Sequence, residues 1–392
     1  MMHINEENMG KQKLYALQVA LVTHYYTTGQ PDLLAEFLRG KVRLLIIMRH
    51  PFYYCKDVSS SLIIIEDGSS KIEKRFNFPK VNELLLYLRD MILTIFVILS
   101  LRRNLDVYIG ADPLNAFAGL ILKQLRKVRK VIFYTIDLPV SRFKNEILNI
   151  LYHKLDIFCA SKCDFIWDLS PRMELVRKAF GWKLSNSRKM IVPSAFPLKA
   201  KQMIDETKIC RLLFVGHLKE SQGLQLAIES MPTIIEKVPN IKLLVIGGGP
   251  FQKELQRMVS EYSLDSHVLF LGYINKHSEI EEILSEGGVG IAPYVPDPKG
   301  ITRYADPMKL KVYLACGLPV IVTDVPWMAE IIKKYDAGIV IKYNKNEFID
   351  AVIKLMTNRE LYFKLRENAL KLAQKYTPEE VFGEALLDII SS

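Results

Sequence analysis

The chain has 392 residues, more than one ordinary α/β domain needs and enough for two, and 49% of them are hydrophobic, which excludes a largely disordered polypeptide. Its 53 Lys and Arg against 43 Asp and Glu leave a net charge of +10, so anionic partners are expected: phosphates, acidic lipid headgroups or nucleic acid. No nucleic acid partner is expected, because no helix-turn-helix, zinc or RNA-binding signature accompanies the charge.

Residues 1–14 are polar and charged and lack the apolar core of a signal peptide. LQVALVTHYY (17–26) then reads as a strand, and TTGQ leads into a helix opened by Pro31 and closed near Gly40. VRLLIIMRH and SLIIIED (61–67) read as two more strands. The segment LLLYLRDMILTIFVILSL (84–101) reaches membrane-spanning length only by including Arg89 and Asp90, and its uninterrupted apolar run, Met91 to Leu99, is too short to cross a bilayer. A buried or interface-lying helix is expected there, with Arg102 and Arg103 at its end. Two readings stay open: a monotopic membrane contact, and a core helix rich in Leu and Ile. LDVYIGAD (105–112), a helix from Pro113 to about Arg126, KVIFYTID (130–137), a helix over 145–162, CDFIWDLS (163–170), a helix opened by Pro171, and MIVPSAF (190–196) complete the first series.

Residues 197–209 are polar without a core period and are expected to form a hinge. A second series follows: CRLLFVGHL (210–218), a helix near 222–237, IKLLVIGGG (241–249), and a helix with Phe251, Leu255, Met258, Val259 and Tyr262 on one face. HVLFLGYI (267–274), GVGIAPY (288–294), LPVIVTD (318–324) and AGIVIKY (337–343) are short β-rich runs between helices, and EEVFGEALLDII is a helical tail. Strand–helix alternation of this kind predicts α/β architecture: two Rossmann-like, doubly wound parallel-sheet domains facing a cleft. The expected division is 1–197, 198–375, and a C-terminal helix at 376–392 that packs back on the first domain. The five cysteines (Cys55, Cys159, Cys163, Cys210 and Cys316) are odd in number and scattered through core segments, which reads as buried thiols in a reducing compartment.

Open α/β sheets bind ligands beyond the carboxyl ends of their strands, so those loops carry the candidates. Gly216 ends one strand and is followed by His217, Lys219 and Gln222; it reads either as a phosphate-approaching turn or as a plain strand–helix turn. Gly247, Gly248 and Gly249 leave room for a ligand against the backbone, but no GxGxxG fits, which disfavours a nicotinamide cofactor. Gly272, Tyr273 and Ile274 offer backbone groups and a ring to a base, or a surface tyrosine only. In KGITRYADPMKLKVYLACGLPVIVTDVP (299–326), Asp306 reads as a helix N-cap and Pro307 as the first helical position, making a phosphate seat beside Arg303 and Lys309. A capping carboxylate would compete with phosphate. Either Asp306 turns outward to a sugar hydroxyl, or the phosphate sits lower, on the amides of Met308 and Lys309.

The pieces FVGHLKESQGLQLAIE, LLVIGGGPFQKELQ, VLFLGYI, VGIAPYVPD and DPMKLKVYLACGLPVIVTDVP, in this order and spacing over about 210–343, resemble the group-1 retaining glycosyltransferases of the GT-B fold. VTHYYTTG, FYTIDLPV and CDFIWDLSPRM resemble them more weakly in the first half. The resemblance implies a nucleotide-diphosphate sugar held mainly by the second domain. It places a glycan or lipid-linked acceptor against the first, on the side of His24, Tyr25 and Tyr26. By family pattern the Gly216 loop with His217 and Lys219, together with Gly248, Arg303, Pro307, Met308 and Lys309, faces the donor. Gly272–Ile274 face the base. Asp137 falls where many members place a histidine that contacts the donor sugar. Asp137, Asp306 and Lys309 are therefore the catalytic candidates. Tyr304 and Val312 stand where the family has two glutamates, and His217 and Gln222 where it has an arginine and a lysine. Diphosphate binding then leans on Lys219, Arg303, Lys309 and backbone amides, with no metal and no cofactor beyond the nucleotide-sugar. The basic charge, the 84–101 helix and Phe52, Tyr53 and Tyr54 suggest work at the cytoplasmic membrane face. The rival readings are a catalytically impaired binding subunit and a nucleotide-sugar epimerase.

Overall fold

A computed structural model describes residues 12–25, 29–143, 145–183, 187–201, 204–298 and 300–391. The first series gives eight strands: β1 (Gln18–Tyr25), β2 (Leu44–Pro51), β3 (Ser60–Glu66), β4 (Ser69–Phe76), β5 (Leu105–Ala111), β6 (Val128–Thr135), β7 (Phe165–Asp168) and β8 (Arg188–Ile191). They form one sheet in the order β4-β3-β2-β1-β5-β6-β7-β8. Val19 to Val22 of β1 are fully buried, as a central strand covered on both faces requires. The sheet departs from the wholly parallel expectation at one edge. β2 pairs with β3, and β3 with β4, antiparallel. β4, SSKIEKRF, lacks an apolar run and lies almost wholly in solvent, so it carries no core pattern to read. Its Lys71, Lys74 and Arg75 suit an edge strand, where charge discourages further pairing.

Helices that accompany these strands include α1 (Gln30–Leu38), α2 (Glu83–Ser100), α3 (Pro113–Gln124), α4 (Glu146–Lys162) and α5 (Met173–Ala179). Asn82 starts α2 by accepting the Leu85 N–H at 2.9 Å. α2, α3 and α4 lie side by side and pack Val97, Ile98, Leu122, Cys159 and Ala160 onto Ala20, Val22, Tyr108 and Phe133 of the sheet. α2 buries Leu86, Asp90, Thr94 and Val97 and leaves its other side exposed. No helix among the described residues is long and apolar enough to cross a membrane. The terminal helix (Pro378–Ser391) packs on α1, with the Phe37 and Phe382 rings 5.7 Å apart.

The second series gives β9 (Arg211–Val215), β10 (Lys242–Ile246), β11 (Val268–Gly272), β12 (Val289–Ala292), β13 (Val320–Thr323) and β14 (Gly338–Ile341). Their order is β11-β10-β9-β12-β13-β14, every pair parallel. The helices are α6 (Leu224–Lys237), α7 (Gln252–Glu261), α8 (His277–Ser285), α9 (Met308–Ala315), α10 (Met328–Lys334), α11 (Lys345–Thr357) and α12 (Arg359–Gln374). Leu212, Phe214, Leu243, Val245 and Ile291 meet Ala227 and Met231 of α6, Leu255 of α7 and Val352 of α11 in one core. On α7 the 3.6-residue period holds for Leu255, Met258 and Val259, while Tyr262, just past the helix end, is exposed.

The chain divides into two compact units. One holds the residues up to Pro193 together with those from Pro378 onward, and the other is Ser194–Thr377. Strand order reverses between β1 and β5 in unit one and between β9 and β12 in unit two, the points at which such sheets open a crevice beyond their strand ends. All five cysteines are unpaired; Cys159, Cys163 and Cys316 are buried.

Candidate functional site

In unit two the loops after β9, β10 and β11 are laced together. Gly216 N–H donates to the Ile246 carbonyl at 3.0 Å, Leu218 N–H to Gly248 at 3.0 Å, and Gly247 N–H to Gly272 at 2.8 Å. This close approach explains two of the three consecutive glycines. A Cβ on Gly247 would come within 2.0 Å of the Gly216 carbonyl oxygen, and one on Gly249 within 2.3 Å of that of Leu218. Those two make room for a neighbouring loop, not for a ligand as the sequence suggested. A Cβ on Gly248 would make only an ordinary contact, 3.7 Å from Gln252 Oε1.

Lys309, on the first turn of α9, reaches over this row. Its ammonium lies 2.9 Å from where a Cβ on Gly216 would stand, donates to Gln222 Oε1 at 2.8 Å, and rests 4.0 Å from the centre of the Phe214 ring. Removal from water pulls its pKa down from 10.5 to about 7. The α9 amides beside it carry no side-chain cap. A half-buried cation and free helix amides therefore converge at the β9/β12 switch point, an arrangement suited to an oxyanion.

The predicted cap is corrected. Pro307 is the N-cap of α9, and helical geometry begins at Met308. Asp306 turns inward and is buried: one oxygen accepts the Ser194 N–H at 2.7 Å and lies 3.6 Å from the Lys311 ammonium. Burial raises the Asp306 carboxyl and lowers Lys311 to about 8, with the Lys311 ammonium 3.2 Å from the centre of the Tyr376 ring. The carboxylate thus leaves the α9 amides to other acceptors, because it is occupied by the backbone and by Lys311. His217, Lys219, Tyr273 and Arg303 are surface side chains, and Ile274 is partly covered. Partial burial, with Lys219 nearby, lowers the His217 pKa. The Tyr304 hydroxyl donates to the Pro298 carbonyl at 2.9 Å, and Val312 lies half-buried on α9.

In unit one His24 closes β1 beside the β1/β5 switch point. Its Nδ1 lies 2.6 Å from Asp112 Oδ2 and its Nε2 3.7 Å from Asp90 Oδ2. Burial alone would lower the imidazole, but Asp112 and then Asp90 outweigh it and lift the pKa to about 9, so His24 is an imidazolium at neutral pH. His50 takes the opposite state. The hydroxyls of Ser60 and Thr94 lie 2.9 and 2.7 Å from its two nitrogens, and burial drives its pKa down to about 3. Arg89 Nε donates to Asp90 at 2.9 Å, which accounts for the charged pair inside the apolar 84–101 run. Asp112 holds φ 95 and ψ 162, a conformation almost reserved for glycine, while Asn115 donates its backbone and side-chain N–H groups to the carboxylate at 2.9 and 2.8 Å.

Of the residues predicted for this side, His24 is within the cluster, Tyr25 is exposed at the strand end, and Tyr26 lies outside the described residues. Asp137 follows β6 and is exposed; its charge and that of Asp112 both act on Arg142, whose guanidinium lies 5.8 Å from the centre of the Phe52 ring. Sequence reasoning missed Asp90, Asp112, Asn115 and His50. The available signals were an acidic residue inside an apolar helix and an Asp-Pro pair directly after a strand.

Residues 198–372 match the family Glycosyl transferases group 1. An uncharacterized glycosyltransferase of Methanocaldococcus jannaschii is 32% identical over 135 residues, 34% of this chain and 32% of that protein. N-acetyl-alpha-D-glucosaminyl L-malate synthase of Bacillus anthracis is 24% identical over 44% of this chain and 43% of its own length. The matched stretch is therefore less than half of these relatives. Among solved structures, Anabaena HepE in complex with UDP superposes with a TM-score of 0.67 at 12% identity, covering 96% of this chain and 100% of that one. Sucrose-phosphate synthase of Thermosynechococcus elongatus gives 0.70 at 16% identity, covering 95% and 99%. The two Rossmann-like units have the fold of the GT-B glycosyltransferases, and within the second unit residues 198–372 match the group-1 glycosyltransferase family.

Proposed function

We propose that this chain moves a sugar from a nucleotide-diphosphate sugar to a lipid-linked or polysaccharide acceptor at the cytoplasmic membrane face, with retention and without a metal ion. Unit two takes the donor, and unit one takes the acceptor around His24, Tyr25 and Asp137. One observation carries the reading: the Lys309 ammonium, partly desolvated and held by Gln222, lies at the strand-end glycine of the switch point beside uncapped α9 amides. Transfer breaks the bond from the sugar C1 to the phosphate oxygen and joins C1 to an acceptor oxygen, while the acceptor proton leaves with the diphosphate. The charge that develops is on the departing phosphate, where preorganised donors contribute most. Lys309 and the α9 amides are those donors, and Arg303 and Lys219, both exposed, add positive charge to the same unit. Asp306 keeps the α9 start in place through Ser194 and Lys311 rather than contacting the sugar.

HepE binds UDP and UDP-glucose, which makes these the first probes. A ligand at a hundred times its Kd adds about 2.7 kcal/mol to unfolding free energy, so the melting temperature should rise with concentration for UDP, GDP or ADP, or for a sugar ester of one of them. A melting temperature indifferent to all of them would end the reading.

A further inference from the structure

Every exposed position of α2 between Leu84 and Phe96 is apolar. Leu84, Leu88, Ile92 and Phe96 step by four residues and form one row along the helix. Leu84, Ile92 and Phe96 each keep more than half of their surface in solvent. α3 lies between α2 and α4 in the same layer, its Phe117 ring 5.9 Å from Phe158 of α4. On α4, Ile147 and Leu151 are also more than half exposed. From Ile147 to Lys162 the exposed side chains of α4 are Ile, Leu, Phe and Lys only. Single exposed apolar residues are ordinary, but aligned rows on one helix layer form a patch that marks an interaction surface.

We propose that this three-helix face docks on an anionic lipid bilayer, with α2 and α4 lying in the headgroup plane and their apolar rows reaching the acyl chains. The charge of the face selects this occupant. No carboxylate stands among the exposed positions of either row between Leu84 and Phe96 or between Ile147 and Lys162, whereas Lys154 and Lys162 rise from the α4 row. Arg102 and Arg126, both exposed, follow the ends of α2 and α3. Helices that return between parallel strands run in one direction, so these two and Lys162 share one edge of the face. Long basic side chains can cover apolar surface and still reach lipid phosphate. A second copy of the chain would bring a rim of the same sign against this one, within a chain of net charge +10. The inference deepens the membrane part of the proposed function by naming the surface and its partner.

The test mixes the purified chain with vesicles of phosphatidylcholine alone or with phosphatidylglycerol added, and reads the fraction that floats with the lipid. The chain should float with the phosphatidylglycerol vesicles, less with phosphatidylcholine alone, and less as salt rises. Leu88→Glu combined with Ile92→Glu should lower the lipid-bound to free ratio at least about tenfold, and Ile147→Glu on the separate helix should lower it too. Arg102→Glu should lower it about fivefold or more. These side chains are exposed, so thermal melting should be near that of the parent chain, and failure of one variant to fold leaves the other helix as the test. A parent chain that stays in the aqueous fraction with both vesicles overturns the proposal, as do apolar-row variants that float as well as the parent. A concentration-dependent dimer that Ile92→Glu dissolves, without lipid capture, would give the face to a second copy and overturn it as well. The UDP-dependent melting shift is read on the same samples. Loss of vesicle capture with that shift intact refutes only this surface, and capture without any nucleotide shift refutes only the donor reading.

Discussion

The two switch points use opposite electrostatic designs. In unit one, the His24 imidazolium is clamped between Asp112 and Asp90, Asp90 also holds Arg89, and His50 beside it is kept neutral. Charge there is compensated within the protein. In unit two, the Lys309 ammonium faces an amide oxygen and aromatic rings, with burial lowering its pKa. A compensated cluster fixes structure and leaves little net field for a charged ligand, whereas a partly desolvated cation without a carboxylate gains most when an anion arrives. The comparison supports the proposal that the first switch point serves shape and the second the leaving phosphate.

That contrast can be broken most directly at Asp90. Asp90→Ala leaves His24, His50 and Arg89 without their shared carboxylate and should cost about 3–5 kcal/mol of unit-one stability in urea unfolding. A cost below about 1 kcal/mol would show that the cluster is not compensated as described.

The next effect is pH dependence. His24 has its pKa raised from 6.5 to about 9, so its contribution, of order 3 kcal/mol, is fully present below 6.5 and disappears as pH rises through about 9. His50 works in the other direction. Its pKa falls from 6.5 to about 3, so stability declines as pH drops below 6.5 and the unfolded chain takes up a proton that the folded one refuses. Unit one should therefore be most stable near pH 6.5 and lose stability on both sides, toward about 9 through His24 and toward about 3 through His50, and His24→Gln should remove the alkaline limb of the unfolding profile.

Lys309→Met sharpens the same comparison from the other unit. Without nucleotide the variant should unfold at or above the stability of the parent, because a desolvated amine is replaced by an apolar chain of similar length. UDP affinity should nevertheless fall by about 10–100-fold, the loss of one charge-assisted contact. With a pKa of about 7 in the free protein, the amine is mostly neutral at pH 8 and must regain a proton when a diphosphate docks. Calorimetry in two buffers of different ionisation enthalpy should report proton uptake by the parent and none by the variant.

Much of the architecture was legible before any coordinates. The strands of both series lie within a few residues of their apolar runs, because a buried parallel strand must be continuously apolar. β4 was not legible, since an exposed edge strand carries no such run. In the site, Lys309 and Gly216 were chosen from the strand-end rule and do meet. Asp306 was misread as a cap because its local pattern, Asp-Pro ahead of a helix, does not reveal that Ser194, 112 positions earlier, offers a better-placed amide.

The amino-acid order alone determined that there are two sheets, where most of their apolar strands lie, and that glycines and cations gather at the strand ends, because each follows from local periodicity and backbone freedom. Only the tertiary structure decided which charges meet. His24 finds Asp112 and Asp90 across 88 and 66 positions, and Lys309 finds Gln222 across 87. Such pairings depend on how strands are ordered in a sheet, and burial then sets the protonation state of each group.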